Sequence, residues 1–321
     1  KLGPVGFYQT VTLFWQNYGC FMDFFDSFPA MERQDLRDLK KGIDSSFRDF
    51  SRAYGDEIEG FFEPLLHFLV WLEKLLVNAP WPVVIIGLAV LAWLGSRSWK
   101  LVTGTVIAFL VIGYFGMWKD TMATLDIISV ATLLCIAVGI PFGIWMAKSD
   151  RVQAAITPVL DVMQTIPSFV YLIPVVMLLG IGKVPGLIAV CIYAIPPLVR
   201  LTNLGIRLVD NEVLEAADSF GADYKQKLFG VQIPLALPNI FAGINQTIMM
   251  SLAMVVIASM IGVKGLGLPV LRAVSNQYLA LGLLNGLAIV ILAIIFDRVS
   301  QQYGRRLQAH REGSSLSLIH I

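Results

Sequence analysis

From Trp81 onward the chain consists mainly of long apolar stretches, and this feature restricts its fold more than any other. A helix needs about 20 mostly apolar residues to cross the hydrocarbon core of a bilayer. The sequence predicts seven such spans, at residues 81–95, 101–118, 121–147, 156–181, 184–206, 237–263 and 279–296. We therefore expect an all-α, polytopic membrane protein with about seven transmembrane helices.

The composition supports lipid rather than water as the main solvent. Hydrophobic residues make up 56% of the chain and charged residues only 15%, with a mean hydropathy of +0.72. A soluble domain has about 45–50% apolar and about 25% charged residues. The net charge of +1 gives no sign of a nucleic-acid partner.

The first 80 residues differ from the rest. Residues 32–63 are charged, with Leu36, Leu39, Ile43 and Phe47 at helical spacing, which predicts an extramembrane or interfacial helix. Residues 65–76 predict a second amphipathic helix in the interface. We expect a tail at 1–80, two peripheral transmembrane helices at 81–118, a core at 119–298 with a loop at 208–234, and a second tail at 299–321.

Both ends of the sequence carry signs of processing. The first residue is Lys1, and Met22 and Met31 are candidate starts. We interpret residues 313–321 as a read-through scar and exclude them from the fold.

The basic residues predict the orientation, because Lys and Arg concentrate on the cytoplasmic side. Four lie in the predicted outer loops, Lys119, Lys183, Lys264 and Arg272. Twelve lie in the predicted inner segments, Arg97, Lys100, Lys148, Arg151, Arg200, Arg207, Lys225, Lys227, Arg298, Arg305, Arg306 and Arg311. Seven spans place the N-terminus outside, whereas a further span at 65–76 would place it in the cytoplasm.

Metal or redox chemistry is not indicated. Cys135 and Cys191 lie in apolar runs. Cys20 is the third cysteine, and an odd number of cysteines cannot all pair in disulfides. The histidines are too scattered for a metal site: His67, His310 and His320. We expect no metal site and no catalytic residues in this chain.

The predicted inner loop at 208–234 is long and polar. Asp210 or Asn211 can cap a helix, and Gly221 can end it in a left-handed conformation. A second short helix is predicted at 223–231, and Pro234 and Pro238 would open the next span. Two short helices at right angles would form a docking knob on the membrane face.

The spacing within this loop resembles the EAA motif of ABC importer permeases. Glu215-Ala216-Ala217 is followed by Gly221 and then by Val231-Gln232-Ile233-Pro234, where Val231 and Ile233 are mild departures from the family pattern. The resemblance implies a coupling helix held by an ATP-binding subunit, whereas the alternative is a solvated loop with a chance triplet. The residues implied in coupling are Glu215, Ala216, Ala217, Gly221, Val231 and Pro234.

Two longer stretches, 161–182 and 243–262, resemble permeases of glycine betaine/proline betaine importers, and the similarity covers about 121–298. Membership implies the type I ABC importer fold in the bacterial inner membrane and a quaternary-ammonium cargo such as glycine betaine, proline betaine or choline. It also implies a second permease copy, ATP-binding subunits and an external binding protein. The chain lacks G-x-x-x-x-G-K-[ST], so ATP and Mg would belong to the partner subunit.

Two sets of polar residues suggest a translocation path, because polar groups within spans usually face the bundle interior or a cavity. We expect the first set to share one helical face, and Asp126 and Asp161 to be solvated near span ends. The alternative is that these groups form only interhelical hydrogen bonds. The path set is Asp161, Gln164, Thr165, Ser168, Tyr171, Asn245, Gln246, Thr247 and Ser251.

Three other functions remain open. The same machine could carry an amino acid or an alkylsulfonate. An ion-coupled secondary transporter or channel would need an ionisable pair at mid-membrane, and the sequence places no Lys, Arg, Asp or Glu at the centre of a predicted span. A membrane scaffold without transport would not need the polar rows.

Overall fold

The described chain is helical. The computed structural model describes the backbone of residues 30–318 and the side chains of residues 30–304 and of Arg306. Its α-helices are α1 (Arg33–Asn78), α2 (Trp81–Ser96), α3 (Trp99–Tyr114), α4 (Trp118–Lys148), α5 (Asp150–Thr165), α6 (Leu172–Leu179), α7 (Lys183–Arg207), α8 (Asn211–Ser219), α9 (Tyr224–Gln226), α10 (Ile233–Ala258), α11 (Gly267–Asn276) and α12 (Leu279–Leu318). Tighter turns of 3₁₀ helix lie at Ser168–Tyr171 and Ser259–Ile261, and a wider π-helical turn lies at Lys227–Gln232. No strand occurs within residues 30–318, so the all-α prediction is confirmed.

Two compact units divide the chain between Tyr54 and Gly55, within α1. In the first unit the rings of Phe47, Phe50 and Tyr54 follow one another along the helix, with centroid separations of 6.2 and 5.2 Å. The second unit contains all the helices from α2 onward. The predicted boundaries at residues 80, 118 and 298 stay predictions, and Cys20 and Met22 lie outside the described residues.

The helices only partly match the predicted spans. Four are long and apolar enough to cross a membrane: Trp118–Lys148, Lys183–Arg207, Tyr224–Ile261 and Leu279–Gly304. Two bent pairs, Arg33–Asn78 with Trp81–Ser96 and Asp150–Thr165 with Ser168–Leu179, bring the total to six if each pair is one span. The short apolar helix α3 must also cross if the count is to reach the predicted seven.

Three predicted elements have different boundaries in the structure. The two helices predicted at 32–63 and 65–76 form one helix, α1, which begins at Arg33; Pro64 lies inside it, although a proline removes one helical N–H. The span predicted at 101–118 ends at Tyr114, because Gly116 turns the backbone with φ +77° before α4 begins. The span predicted at 156–181 is bent by 106° near Pro167.

Helix α7 forms the centre of the bundle and packs against both α4 and α10. Its residues Leu187, Ala189, Val190, Ala194 and Leu198 are fully buried. Such complete burial requires neighbours on several sides, and α7 is therefore the element against which the other central helices are positioned.

Two glycines allow the contact between α4 and α7. A Cβ at Gly143 would lie 2.5 Å from Thr202 Cβ and 2.9 Å from the carbonyl oxygen of Val199, and one at Gly139 would lie 3.1 Å from Leu198 Cδ2. A side chain at Gly143 would force the helices apart, whereas one at Gly139 would require Leu198 to shift. The two glycines therefore permit the close approach of α4 and α7.

Candidate functional site

The loop between α7 and α10 is anchored at its start by Arg207, the last residue of α7. One guanidinium nitrogen donates to Asp150 Oδ1 at 2.7 Å, and the other donates to the carbonyl oxygen of Met146 at 3.0 Å. Charge-assisted hydrogen bonds of this kind are the stronger ones. The base of the loop is thereby joined to the junction of α4 and α5.

Helix α8 carries the Glu215-Ala216-Ala217 triplet and has defined caps at both ends. Asp210 accepts a hydrogen bond from the backbone N–H of Glu212 at 3.0 Å, as an N-cap does. At the other end Gly221 adopts φ +72°, and the N–H of Ala222 donates to the carbonyl oxygen of Ala217 at 3.0 Å. The predicted cap at Asp210 and the helix-ending role of Gly221 are confirmed.

The second half of the loop differs from the prediction. Asp223 and Gln226 form a capping box at the start of α9. From there α9, the π-helical turn and α10 follow without a gap, so there is no separate second short helix at 223–231. Pro234 is the second residue of α10 and does not interrupt this continuous helix, although a proline removes one helical N–H. Val231 lies within the π-helical turn.

Two side-chain contacts fix the halves of the loop. Lys227 pairs with Asp218, with 2.6 Å from Nζ to Oδ2, and thereby connects the π-helical turn to α8. The Lys148 ammonium lies 4.7 Å from the ring centroid of Tyr224, a cation–π distance. The loop is thus held both internally and against the end of α4.

The outer surface of the loop combines carboxylates with exposed apolar groups. Glu215 and Ala216 are exposed and Ala217 is half-buried. Phe220 exposes 91% and Phe229 64% of its surface. Large apolar side chains on a fixed loop are typical of a surface that another protein covers.

The first polar set does not share one helical face, contrary to the prediction. Ile166 has φ −64° and ψ 130°, an extended conformation that the residue before a proline favours, and α5 ends there. Asp161, Gln164 and Thr165 therefore lie on α5, whereas Ser168 and Tyr171 lie beyond the bend.

The side chains of this set have specific partners in the structure. Asp161 accepts from Arg200 of α7 at 2.5 Å, and the Tyr171 hydroxyl donates to the carbonyl oxygen of Met163 at 2.5 Å. Gln164 and Thr165 are exposed, and Ser168 is half-buried. The Tyr171 contact holds the turn against the end of α5.

The second polar set lies on α10 and falls into two groups. Asn245 and Gln246 line a pocket between α10 and α12. Thr247 and Ser251 are fully buried, and the Thr247 hydroxyl donates to the carbonyl oxygen of Ala194 on α7 at 3.0 Å. Thr247 thus forms the interhelical bond that the alternative reading expected. A role of either set in translocation stays a prediction.

A buried charge cluster was missed from the sequence. Asp126, expected to be solvated, is fully buried within α4, and this expectation is wrong. Lys183 at the start of α7 pairs with Glu73 of α1 and lies 3.8 Å from Asp126 Oδ2. The three groups come from distant parts of the chain, and the ammonium beside Asp126 offsets part of the cost of burying its carboxylate.

A second missed residue is Asp297, directly after the predicted end of the last span. Its Oδ1 accepts from Asn245 Nδ2 at 2.6 Å and from Gln301 Nε2 at 2.7 Å. The signal available in the sequence was a lone carboxylate at a span end, which is ordinarily read as solvated.

Comparison with known proteins relates this chain to a family of transport proteins. Residues 139–309 match the family described as binding-protein-dependent transport system inner membrane component. The chain is 48% identical over 267 residues to the glycine betaine/proline betaine transport system permease protein ProW of Escherichia coli strain K12, covering 83% of this chain and 74% of ProW. It is 44% identical over 262 residues to the glycine betaine/carnitine transport permease protein GbuB of Listeria monocytogenes, covering 79% of this chain and 92% of GbuB.

A solved structure agrees on the fold. An inward-facing structure of the MetNI methionine ABC transporter matches with a TM-score of 0.53 at 17% identity, over 58% of this chain and 93% of that chain. With the capped loop between two central helices, these matches identify the chain as a multi-pass inner-membrane permease that belongs to the family of binding-protein-dependent transport system inner membrane components.

Proposed function

We propose that this protein is the permease subunit of an ATP-driven importer of glycine betaine and related quaternary-ammonium solutes. The observation that carries the proposal is the loop 208–234. Its helix α8 is capped, ion pairs of Lys227 and Arg207 hold it in place, and the apolar side chain of Phe220 is exposed. A permease that hydrolyses no ATP itself needs a rigid element through which a partner can move its helices. The caps and ion pairs make this loop such an element.

An ATP-binding subunit fits the exposed face of the loop. Phe220 offers a large apolar group, and Glu215 offers a charged acceptor one and a half turns before it. A partner cleft that encloses Phe220 would gain apolar burial, the largest favourable term in most protein association. Arg207, the last residue of α7, bonds to α4, and Lys227, in the turn that leads into α10, bonds to α8. A displacement of the loop would therefore be transmitted to α7 and α10.

The assembly we propose contains two copies of this chain. Asp161, Gln164 and Thr165 on α5 are exposed in the single chain. A second copy facing them would enclose a polar path, and the two copies would alternate between outward-open and inward-open states. ATP and Mg would bind only the partner subunits, and an external binding protein would deliver the solute.

The cargo is proposed from the relatives and from its chemistry. ProW and GbuB are named for glycine betaine together with proline betaine or carnitine, all trimethyl- or dimethylammonium compounds. A quaternary ammonium donates no hydrogen bond and is best held over aromatic faces. Phe169 is exposed and Tyr171 and Tyr193 are half-buried, which suits weak, passing contacts rather than tight binding.

The test is solute-stimulated ATPase activity of the complete importer in nanodiscs, with its ATP-binding subunit and binding protein. Glycine betaine should stimulate hydrolysis, whereas an amino acid or an alkylsulfonate should not. Uptake into proteoliposomes should persist when ionophores collapse ion gradients. Stimulation by an amino acid alone would contradict the cargo, and uptake that needs an ion gradient but no ATP would contradict the class.

A further inference from the structure

An apolar stripe runs along the part of α1 that lies in the first compact unit. Its side chains recur every three or four residues, so that Leu36 and Tyr54 lie on the same face about five helical turns apart. Ile43, near its centre, exposes 62% of its surface. A contiguous exposed apolar surface marks a site of interaction. The apolar stripe consists of Leu36, Leu39, Ile43, Phe47, Phe50 and Tyr54.

The charged residues on the two sides of the apolar stripe have opposite signs. Successive helical residues are rotated by about 100°, which places most basic side chains of residues 33–54 on one side and most acidic ones on the other. Asp44 is an exception, and Arg52 lies opposite the stripe, 3.9 Å from Asp49 Oδ1. The basic flank is Arg33, Arg37, Lys40, Lys41 and Arg48, and the acidic flank is Asp35, Asp38 and Asp49.

This distribution of charge does not suit a lipid surface. A helix that lies in a membrane interface carries Lys and Arg on its polar face, where anionic headgroups attract them. In α1 the same headgroups would repel the acidic flank, which borders the apolar stripe along its length. A protein partner that presents both signs of charge fits the two flanks better than a lipid surface does.

A second copy of the same helix presents both signs in the required places if the two helices run parallel. When parallel helices face each other across a two-fold axis, the basic flank of each lies against the acidic flank of the other. Antiparallel helices would bring like charges together. Asp35 directly precedes Leu36 and Lys40 directly follows Leu39, and these are the positions whose charges set orientation in paired helices.

Gly42 leaves room for such a partner on the acidic flank. A Cβ at Gly42 would meet no atom within 4 Å. Gly42 and Phe47 have the same five-residue spacing as Asp35 and Lys40. In a parallel pair the Phe47 ring of one copy would therefore lie over Gly42 of the other, where the backbone can be approached closely because no side chain intervenes.

We infer that the apolar stripes of two copies of this chain pair with each other as parallel helices. Residues 33–54 are then part of the contact between the two permease subunits. This inference rests on the two-copy assembly of the proposed function and adds an interaction surface to it. It does not depend on which solute is carried.

Disulfide cross-linking in the complete importer tests the pairing. Ile43→Cys and Phe50→Cys are made separately in full-length chain whose native cysteines are replaced by Ala, and each variant is assembled in nanodiscs with the ATP-binding subunit and the binding protein. Copper phenanthroline oxidises two neighbouring thiols to a disulfide, which is detected as a covalent dimer of the chain. Both variants should form this dimer. The native cysteines replaced are Cys20, Cys135 and Cys191.

A matched control and a second position define the geometry. Ser45→Cys lies on the opposite face of the helix and should cross-link at least about tenfold more slowly, since Cα atoms more than about 7 Å apart cannot be bridged without movement of the backbone. Ile43 and Phe50 are about two turns apart. Antiparallel helices could therefore bring only one of these two positions next to its own copy.

Charge reversal tests what sets the orientation. In the Ile43→Cys chain, Asp35→Lys or Lys40→Asp should lower the cross-linking rate about fivefold, because each reversal makes two exposed ion pairs repulsive. The two reversals together should restore the rate. Lys41→Asp is the matched control, because it makes the same reversal one residue further along, on the outer face of the helix, and should have no effect.

Four results would overturn the inference. Absence of a disulfide at both Ile43→Cys and Phe50→Cys would assign the stripe to lipid or to residues 1–29, and a disulfide at only one of them would indicate another orientation. Equal cross-linking of Ser45→Cys, or no recovery in the double reversal, would exclude a specific parallel pair. If only the proposed cargo is wrong, glycine betaine fails to stimulate ATPase activity while cross-linking persists. If only the pairing is wrong, betaine still stimulates ATPase activity.

Discussion

Replacing Phe220 by Ala tests whether the loop is a docking surface. The ring exposes 91% of its area in the single chain. Burying a Phe side chain completely is worth about 1.5–3 kcal/mol. If the ATP-binding subunit encloses this ring, Phe220→Ala should weaken association by that amount, which raises Kd roughly 10- to 100-fold.

The same exposure predicts that the permease fold is unaffected. An exposed ring contributes little to the free energy of unfolding, and the turn after α8 is set by the backbone bonds around Gly221. The thermal unfolding temperature of the isolated permease should therefore match that of the wild type. Titration of the ATP-binding subunit onto permease in nanodiscs would give Kd, and stimulated ATPase activity should recover at saturating subunit.

Phe61→Ala is the matched control, because Phe61 exposes 78% of its area but lies on α1, outside the loop. It should leave Kd unchanged. Wild-type affinity in Phe220→Ala, or an equal loss in both variants, would refute the assignment of the loop as the docking surface.

Other variants probe the loop, the bundle and the charge cluster. Gly221→Val should reduce assembly with the ATP-binding subunit, because a left-handed conformation costs an ordinary side chain about 1–2 kcal/mol. Gly221→Asn should assemble normally. Equal assembly of the two variants would contradict a role for the backbone conformation. Gly143→Leu should lower the unfolding temperature by overpacking worth about 1–3 kcal/mol, while Gly104→Leu, which meets open space, should not. Lys183→Met should cost about 3–5 kcal/mol by leaving Glu73 and Asp126 without their shared cation. Adding both Glu73→Gln and Asp126→Asn should restore most of that loss in a denaturation assay.

The loop was predictable because its determinants are local. Asp210 reaches an N–H two residues away, and Gly221 needs only a conformation that glycine adopts freely. The absent second helix was not predictable in the same way. Whether a helix continues from Asp223 into α10 depends on how Lys227 pairs with Asp218 and on what packs against the turn, which single-sequence rules do not contain.

Prolines show why span continuity is harder to predict. Pro64, Pro141 and Pro158 all lie inside helices, whereas α5 ends at Thr165, two residues before Pro167. The local chemistry of the ring is the same in each case, since proline always removes one helical donor. What differs is the surrounding contact: at Pro167 the Tyr171 hydroxyl donates back to the carbonyl oxygen of Met163 and stabilises the turn.

The two missed carboxylates have a common physical cause. Hydropathy averages over a window, so a single Asp either disappears inside a strongly apolar run, as Asp126 does, or marks the end of the run, as Asp297 does. The partners that make burial tolerable are remote: Lys183 lies on another helix from Asp126, and Asn245 on another helix from Asp297. A carboxylate near a predicted span end is therefore better treated as a candidate interior group than as a boundary, because α12 continues well beyond Asp297.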